Sequence, residues 1–177
     1  MAHYSRGQDS ASAADKLVLE ALMALSRAVV GMTTRSLNQV GADVTLTQYR
    51  SLVVLASRGP QRTAELAAEL GIQPSTATRL CDRLAVRGFV RRQPGQDDRR
   101  VVLVVLTDAG RDLVGQAMAG RRELLAGLLQ RVRVTDPQAF AQAATALAEA
   151  AGELPESQWW QRWQASTSVE AFAAYAA

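Results

Sequence analysis

The chain has 177 residues, of which 48% are hydrophobic and 21% charged, as in soluble globular proteins with one domain or one compact two-lobed unit. Its single cysteine and single histidine exclude an internal disulfide and a zinc site built from several Cys and His ligands, and they favour a reducing, cytoplasmic location. No apolar run approaches the roughly 18 residues that cross a membrane, and no phosphate-binding loop or Gly-x-Ser-x-Gly motif occurs. We therefore predict no membrane association, no metal, no cofactor and no enzymatic activity.

The positive charge of the chain is concentrated between Arg58 and Arg100. This segment carries nine arginines against five acidic residues, a net +4, whereas the rest of the chain carries −1 of the total of +3. A local excess of this kind is the electrostatic footprint of a surface that binds nucleic-acid phosphates. The simpler interpretation, arginines that only face solvent, is disfavoured by the motifs in the same segment.

The first predicted helix spans Asp15–Asn38, after a small and polar segment, residues 1–14, that we predict to be a disordered tail. Apolar residues recur along this helix at intervals of 4, 3, 4 and 3, at Val18, Leu22, Leu25, Val29 and Met32. That spacing is a heptad seam, which packs against another helix. We therefore expect this helix to need a partner on more than one side.

A second helix is predicted from Leu46 to Leu55, with Thr45 or Thr47 as its N-cap. Two shorter helices should follow, over Thr63–Leu70 and Pro74–Arg87.

The turn between the two short helices is typical of a helix-turn-helix unit. Thr63 is expected to cap the first, Gly71 to end it in a left-handed conformation, and Pro74 to open the second. Gln73, just before Pro74, is only a weak cap.

The second short helix has two distinct faces. Ala77, Leu80, Cys81 and Leu84 form an apolar stripe that predicts packing on a core. The other face carries basic and hydroxyl side chains: Ser75, Thr76, Thr78, Arg79, Arg83 and Arg87. Such a helix fits the DNA major groove, where arginine pairs with guanine and hydroxyls contact bases or phosphates. We predict DNA contacts by Ser75, Thr76, Thr78, Arg79 and Arg83.

A β-hairpin is predicted next, with strands over Phe89–Arg92 and Val101–Leu106 and a polar turn between them. An arginine at the tip of such a hairpin can enter an adjacent minor groove. Asp98, Arg99 and Arg100 are the predicted contacts at this tip. We also expect the Asp98 carboxylate to hold the Arg100 guanidinium, because both side chains point to one side of an extended strand.

Two motifs carry a resemblance to a known family. The run from Asp98 to Gly110, DRRVVLVVLTDAG, resembles the wing signature of the MarR family of transcriptional regulators: Asp-x-Arg, a short apolar strand, Leu-Thr, and a glycine three residues on. The run from Pro74 to Leu80, PSTATRL, is similar to the start of that family's recognition helix. The motifs cover roughly Leu46 to Gly110, and the flanking helices match by pattern only.

After the hairpin, Thr107 should cap a long helix over Asp108–Arg133, in which several glycines indicate close packing or a bend. Its buried side is predicted at Leu113, Ala117, Leu124 and Leu128. Four arginines on it are interpreted as solvated or facing phosphate: Arg121, Arg122, Arg131 and Arg133.

A further helix is expected from Pro137, with Asp136 as its N-cap. The last segment, Glu156–Ala177, contains Trp159, Trp160 and Trp163, which would cluster on one helix. We expect this segment to pack on a partner subunit or over the first helix. An alternative is that its tryptophans form the aromatic wall of a ligand site.

The resemblance implies a mainly α fold with a small β-hairpin wing. It implies a winged helix-turn-helix over residues 45–107 and a helical dimerisation region formed by residues 15–44 and 108–177. The expected function is a homodimeric repressor that binds a palindromic double-stranded operator and is released by a small, possibly aromatic or anionic, ligand. In the family the second helix lies under the ligand pocket, so Tyr49 and Arg50 are ligand candidates. The simpler interpretation, which we favour, places Tyr49 in the core and makes Arg50 a surface or dimer-contact ion.

Two other functions stay open. Oxidation of Cys81 would make a redox-responsive repressor, although a cysteine on an apolar stripe usually acts as a small hydrophobic residue. A winged-helix module that binds proteins instead of DNA is disfavoured by the presence of Arg79, Arg83 and Arg100.

Overall fold

The structure is a computed structural model that describes residues 5–41, 43–95, 98 and 100–165. Within these residues there are seven helices and three strands. In chain order they are α1 (Ser5–Gln39), α2 (Leu46–Arg58), β1 (Gln61–Arg62), α3 (Thr63–Leu70), α4 (Pro74–Val86), β2 (Val90–Pro94), β3 (Val102–Leu106), α5 (Asp108–Leu129), α6 (Pro137–Ala150) and α7 (Glu156–Ala165). The predicted mainly helical fold with a small hairpin is confirmed.

The sheet has three antiparallel strands in the order β1-β3-β2. In the predicted hairpin, Val90 is opposite Leu106 and Pro94 is opposite Val102. The sequence analysis missed β1, in which Gln61 pairs with Val104. Two residues are too few to show the alternation of apolar and polar side chains by which a strand is predicted.

Three helix starts follow the predicted capping chemistry. The Thr45 side chain accepts from the Gln48 backbone N–H at the start of α2, and the Gln48 side chain accepts from the Thr45 N–H in return. Thr107 caps α5 by accepting from the Gly110 N–H, and Asp136 caps α6 by accepting from the Ala139 N–H.

The predicted cap of α3 was wrong. Thr63 is the first helical residue and Arg62 is in the cap position, because Arg62 is still extended as the second residue of β1. Arg62 makes no side-chain cap; instead the Glu65 carboxylate accepts from the Arg62 backbone N–H at 2.7 Å. The end of α3 is as predicted, with Gly71 in the left-handed region at φ 62°.

The core lies where α2, α3 and α4 meet the sheet and α5. All four residues of the apolar stripe of α4 are buried: Ala77, Leu80, Cys81 and Leu84. Leu52 of α2, Leu66 of α3, Val104 of β3 and Val114 of α5 are fully buried in the same cluster. This packing fixes the inner face of α4, so its opposite face points away from the molecule.

The helix α1 starts earlier than predicted. It begins at Ser5, so residues 5–14, which the sequence analysis assigned to a disordered tail, are helical. Alanine has the highest helix propensity, and extending an existing helix costs far less than nucleating one. Its C-terminal half packs on α5, where a Cβ added at Gly120 would be 3.5 Å from the Ser36 Cβ.

The N-terminal half of α1 is largely uncovered within one chain. Leu17 is 68% exposed and Leu19 60%, and two residues of the predicted heptad seam, Val18 and Leu25, are also exposed. No residue of α6 is buried, and Phe140 is 54% exposed.

The segment Ala13–Gln39 is long and apolar enough to cross a membrane by length and composition, a property that the sequence analysis did not find in any segment. The core helix of a soluble protein and a signal sequence pass the same test, so this is weak evidence for a membrane span.

The helix α5 ends at Leu129, four residues before the predicted end at Arg133, and Leu128 is exposed instead of buried. Its predicted buried residues Leu113 and Ala117 are in the core. The tryptophans cluster as predicted, with Trp159 and Trp163 stacked at 5.3 Å between ring centroids.

The tryptophan cluster packs on a surface that the sequence analysis did not name. The helix α7 packs on α2 and α5 of the same chain, where Trp163 is 3.3 Å from the position of a Cβ on Gly115. Residues 166–177 of the predicted segment lie outside the described residues.

Candidate nucleic-acid interface and adjoining cavity

The outer face of α4 carries the side chains that the sequence analysis assigned to DNA. Ser75, Thr76, Thr78, Arg79 and Arg83 are all exposed. The Thr78 hydroxyl donates to the carbonyl oxygen of Pro74 at 3.0 Å, so its proton is engaged and only its lone pairs can accept. Ser75 and Thr76 are therefore better placed to donate to an anion.

The arginines of this region fall into two groups. Several are engaged inside the protein: Arg58 pairs with Glu69 at 2.6 Å, Arg92 pairs with Asp82 at 2.6 Å, and the Arg87 guanidinium lies 5.2 Å from the centre of the Phe89 ring.

In contrast, Arg79 and Arg83 form no ion pair or hydrogen bond among the described residues. The paired arginines hold the helices and wing together, and the unpaired ones leave positive charge on the outer face of α4.

The hairpin tip has a structure that differs from the prediction in one contact. The Asp98 carboxylate accepts from the backbone N–H of Arg100 at 2.9 Å and does not hold its guanidinium. The Val101 N–H donates to the Asp98 carbonyl and closes a tight turn. This turn brings the backbone N–H of Arg100, and not its guanidinium, to the Asp98 carboxylate. Asp98 therefore shapes the loop, and the exposed Arg100 side chain extends from it. Arg99 lies outside the described residues.

The base of the wing explains the Leu-Thr and glycine of the signature. The Thr107 hydroxyl donates to the Gly88 carbonyl at 2.6 Å, which ties the start of α5 to the end of the recognition helix. Its backbone N–H donates to the Phe89 carbonyl at 3.1 Å. The same carbonyl oxygen leaves no space for a side chain at position 110, where a Cβ would be only 2.1 Å away.

A cavity of about 650 Å³ lies between α1, α2, α5 and the segment that leads from α6 to α7. Tyr49 and Arg50, the two ligand candidates, both line it. Tyr49 is also a core residue, only 4% exposed, and Arg50 forms an ion pair with Glu153. The structure thus bears out the placement of Tyr49 in the core and brings both residues to a cavity.

The cavity contains charged groups that sequence reasoning missed. Arg121 is half-buried and lines it, a place that the sequence analysis did not foresee for this side chain. Burial raises the pKa of the Tyr49 hydroxyl, and the positive charges of Arg121 and Arg50 oppose that rise. The phenol is thus held neutral next to two cations, where it can donate a hydrogen bond.

Glu153 and Trp159 also line the cavity. Nothing in the sequence near Arg50 signals Glu153, because the two are 103 positions apart. The sequence did indicate Trp159, because one interpretation of the tryptophan cluster was the aromatic wall of a ligand site.

The comparisons with known proteins agree with this geometry. The model of the MarR family matches residues 44–102. The HTH-type transcriptional repressor MdtR of Bacillus subtilis (strain 168) is 30% identical over 148 residues, which cover 82% of this chain and 94% of MdtR. This chain belongs to the MarR family.

Two solved structures have a fold similar to that of this MarR-family chain. RV1404 from Mycobacterium tuberculosis is 35% identical with a TM-score of 0.74, covering 80% of this chain and 96% of that one. CouR from Rhodococcus jostii RHA1, solved bound to p-coumaroyl-CoA, is 27% identical with a TM-score of 0.57, covering 73% and 88%. Members of the MarR family are DNA-binding transcriptional regulators and not enzymes, as predicted.

Cys81 of this MarR-family regulator is 1% exposed. Burial raises the pKa of its thiol, Arg92 opposes the rise and Asp82 adds to it. A thiol with a raised pKa holds little thiolate at neutral pH, and thiolate is the form that oxidants attack. The position therefore suits packing of the recognition helix and not peroxide sensing.

Proposed function

We propose that this chain is a homodimeric, cytoplasmic repressor that binds a palindromic operator and is released by a small anionic ligand. The DNA-binding part rests on Arg79 and Arg83, two exposed arginines on the outer face of α4 that form no ion pair or hydrogen bond among the described residues. In this arrangement Arg79, together with Ser75 and Thr76 in the first turn, reads base edges in the major groove. Arg83 contacts the flanking phosphates, and the Thr78 hydroxyl, which can only accept, takes a hydrogen bond from a base amino group. The wing residues Asp98, Arg99 and Arg100 position an arginine at the minor groove.

The uncovered apolar surface supports the dimer. Six large apolar residues of α1 are exposed in one chain: Leu17, Val18, Leu19, Met23, Leu25 and Val30. Soluble monomers rarely expose a contiguous apolar surface of this extent. Two copies related by a two-fold axis cover α1, α6 and the end of α5, and they present two recognition helices about one helical turn apart.

Release by a ligand is supported by the cavity beside α2. It is walled by the helix that supports the DNA-reading unit and by α5, which follows the wing. Tyr49, Arg50 and Arg121 offer a hydrogen-bond donor and two cations, a set that suits an anionic aromatic molecule. MdtR is a repressor by name, and CouR was solved with a ligand, which makes both parts of the proposal consistent with relatives.

The test uses the purified chain and duplex DNA from the region upstream of its own gene. We expect a mobility shift at low salt, with log affinity falling linearly as log salt rises, because arginines displace counterions from phosphates. Sedimentation on the same sample should give a dimer. A monomer, or a failure to bind any duplex tested, would rule out the proposal. Binding to another protein without any binding to DNA would favour the protein-interaction module.

A further inference from the structure

The segment between α6 and α7 places a carboxylate in the candidate ligand cavity. Glu153 forms an ion pair with Arg50, and both side chains line the cavity. Each side chain is 43% exposed, so the pair faces the cavity and solvent and is not locked in the core. An exposed pair of this kind contributes little to stability and is easily exchanged.

We propose that Glu153 is a built-in competitor that holds Arg50 until the carboxylate of an effector replaces it. This inference rests on the proposed ligand-responsive function and adds one element to it, the carboxylate of the chain itself that the ligand must displace. The ligand is a monocarboxylate with a flat apolar body. Its carboxylate takes the place of Glu153 on Arg50, and its apolar body lies against the aromatic and aliphatic wall.

The remaining cavity walls support this ligand class. Apolar side chains from five parts of the fold line the space: Val53, Leu70, Met118, Leu154 and Trp159. Two other acidic residues reach the cavity but are engaged elsewhere, since Glu69 pairs with Arg58 and Glu156 accepts from the Trp160 indole N–H at 2.9 Å. Once Glu153 is displaced, Arg50 and Arg121 are the two cations that line the cavity.

The displaced segment is mechanically connected to the DNA-reading unit. Glu153 lies three residues before α7, and α7 contacts α2 and α5, which precede and follow the helix-turn-helix and the wing. Arg162 donates to the Ser57 carbonyl at the end of α2 at 3.1 Å. Arg111, one turn into α5 from the wing, donates to the Trp163 carbonyl at 2.9 Å and lies 4.7 Å from its ring centre.

Movement of Glu153 therefore loosens a clamp that fixes the helix-turn-helix relative to the long helices. A ligand that binds the displaced state alone shifts the population toward it, which is what release requires.

The experiment is calorimetric titration of the full chain with 2-naphthoate and with its neutral isostere 2-naphthamide. Three variants are compared with the natural sequence: Glu153→Gln, Arg50→Gln, and the control Glu149→Gln on the exposed face of α6. Glu153→Gln should tighten the binding of 2-naphthoate about two- to fivefold, because the competing negative charge is removed while the side chain keeps its shape. It should leave 2-naphthamide unchanged. Arg50→Gln should lower the affinity for 2-naphthoate about tenfold or more.

Each result decides the matter. Unchanged 2-naphthoate affinity in Glu153→Gln, equal affinity for acid and amide, or no binding of either at millimolar concentration would overturn the inference. An effect of Glu149→Gln equal to that of Glu153→Gln would also overturn it, because that effect would be general electrostatics. Because binding is measured without DNA, a failed mobility shift on the same samples would count against the proposed function and not against this site.

Discussion

Gly110 lies so close to the carbonyl oxygen of Phe89 that a Cβ built at position 110 would be 2.1 Å from it. That oxygen cannot retreat freely, because it accepts from the Thr107 N–H at the base of the wing. The absence of a side chain at Gly110 is therefore what allows α5 to begin directly against the end of the recognition helix.

Gly110→Ala should destabilise the protein by about 1–3 kcal/mol or more, since the contact is with backbone that must shift. Gly127→Ala, in the same helix but with nothing within 4 Å of the added Cβ, is the matched control. It should stabilise the protein by up to about 1 kcal/mol through helix propensity. Urea unfolding of both variants measures the difference, and equal effects would show that the close approach does not matter.

Arg79→Ala should weaken operator binding by about 1–3 kcal/mol and relax the base preference at one position in each half-site. The reason is that Arg79 is exposed and unpaired on the face of α4 that we assign to the major groove. Arg58→Ala removes the same charge from an arginine paired with Glu69 and is the control. Fluorescence anisotropy on a set of operator variants measures both; a uniform loss across all sequences would make Arg79 a phosphate contact.

Arg100→Ala should weaken binding most on operators with A·T-rich flanks, where a narrow minor groove concentrates negative potential. Arg91→Ala is the comparison, because Arg91 donates to Gln93 at 2.6 Å within the wing and carries the same charge. Its effect should not depend on the flank. Competition binding on A·T-rich and G·C-rich flanks tests the pair, and an equal loss on both flanks for Arg100→Ala would remove the minor-groove assignment.

Cys81 should react with a thiol reagent such as Ellman's reagent only after denaturant is added. It is 1% exposed and burial raises the pKa of its thiol, so the thiolate becomes significant only at a higher pH than for a free cysteine. Peroxide should accordingly leave the DNA complex intact at neutral pH. Rapid labelling of the folded protein, or release of DNA by peroxide that Cys81→Ser abolishes, would revive the redox-responsive alternative.

The two faces of α4 could be predicted from sequence because the helical period separates them over only four turns. All four residues of the inner stripe are buried, and the basic residues on the other face are exposed. The capping residues Thr45, Thr107 and Asp136 could be predicted equally well, because a cap accepts from a backbone N–H only three residues away. Interactions of short range along the chain are the ones that the sequence reveals.

What the sequence did not reveal depends on pairs that are distant in the chain. The partner of Arg50 is Glu153, and the surface that receives Trp163 is α5. A cluster of tryptophans predicts that something will cover it but carries no information about which surface does. The strand β1 was missed for the same reason: it exists only because β3, which is distant in the chain, offers it an edge.

The uncovered apolar length of α1 has a consequence for how the protein responds to its own abundance. If two copies must join before α1 is shielded from water, then the folded state gains stability by mass action, and the melting temperature should rise with protomer concentration. Occupancy of an operator would then scale with roughly the square of the number of protomers when they are scarce. A modest drop in synthesis would free the promoter out of proportion to the drop itself.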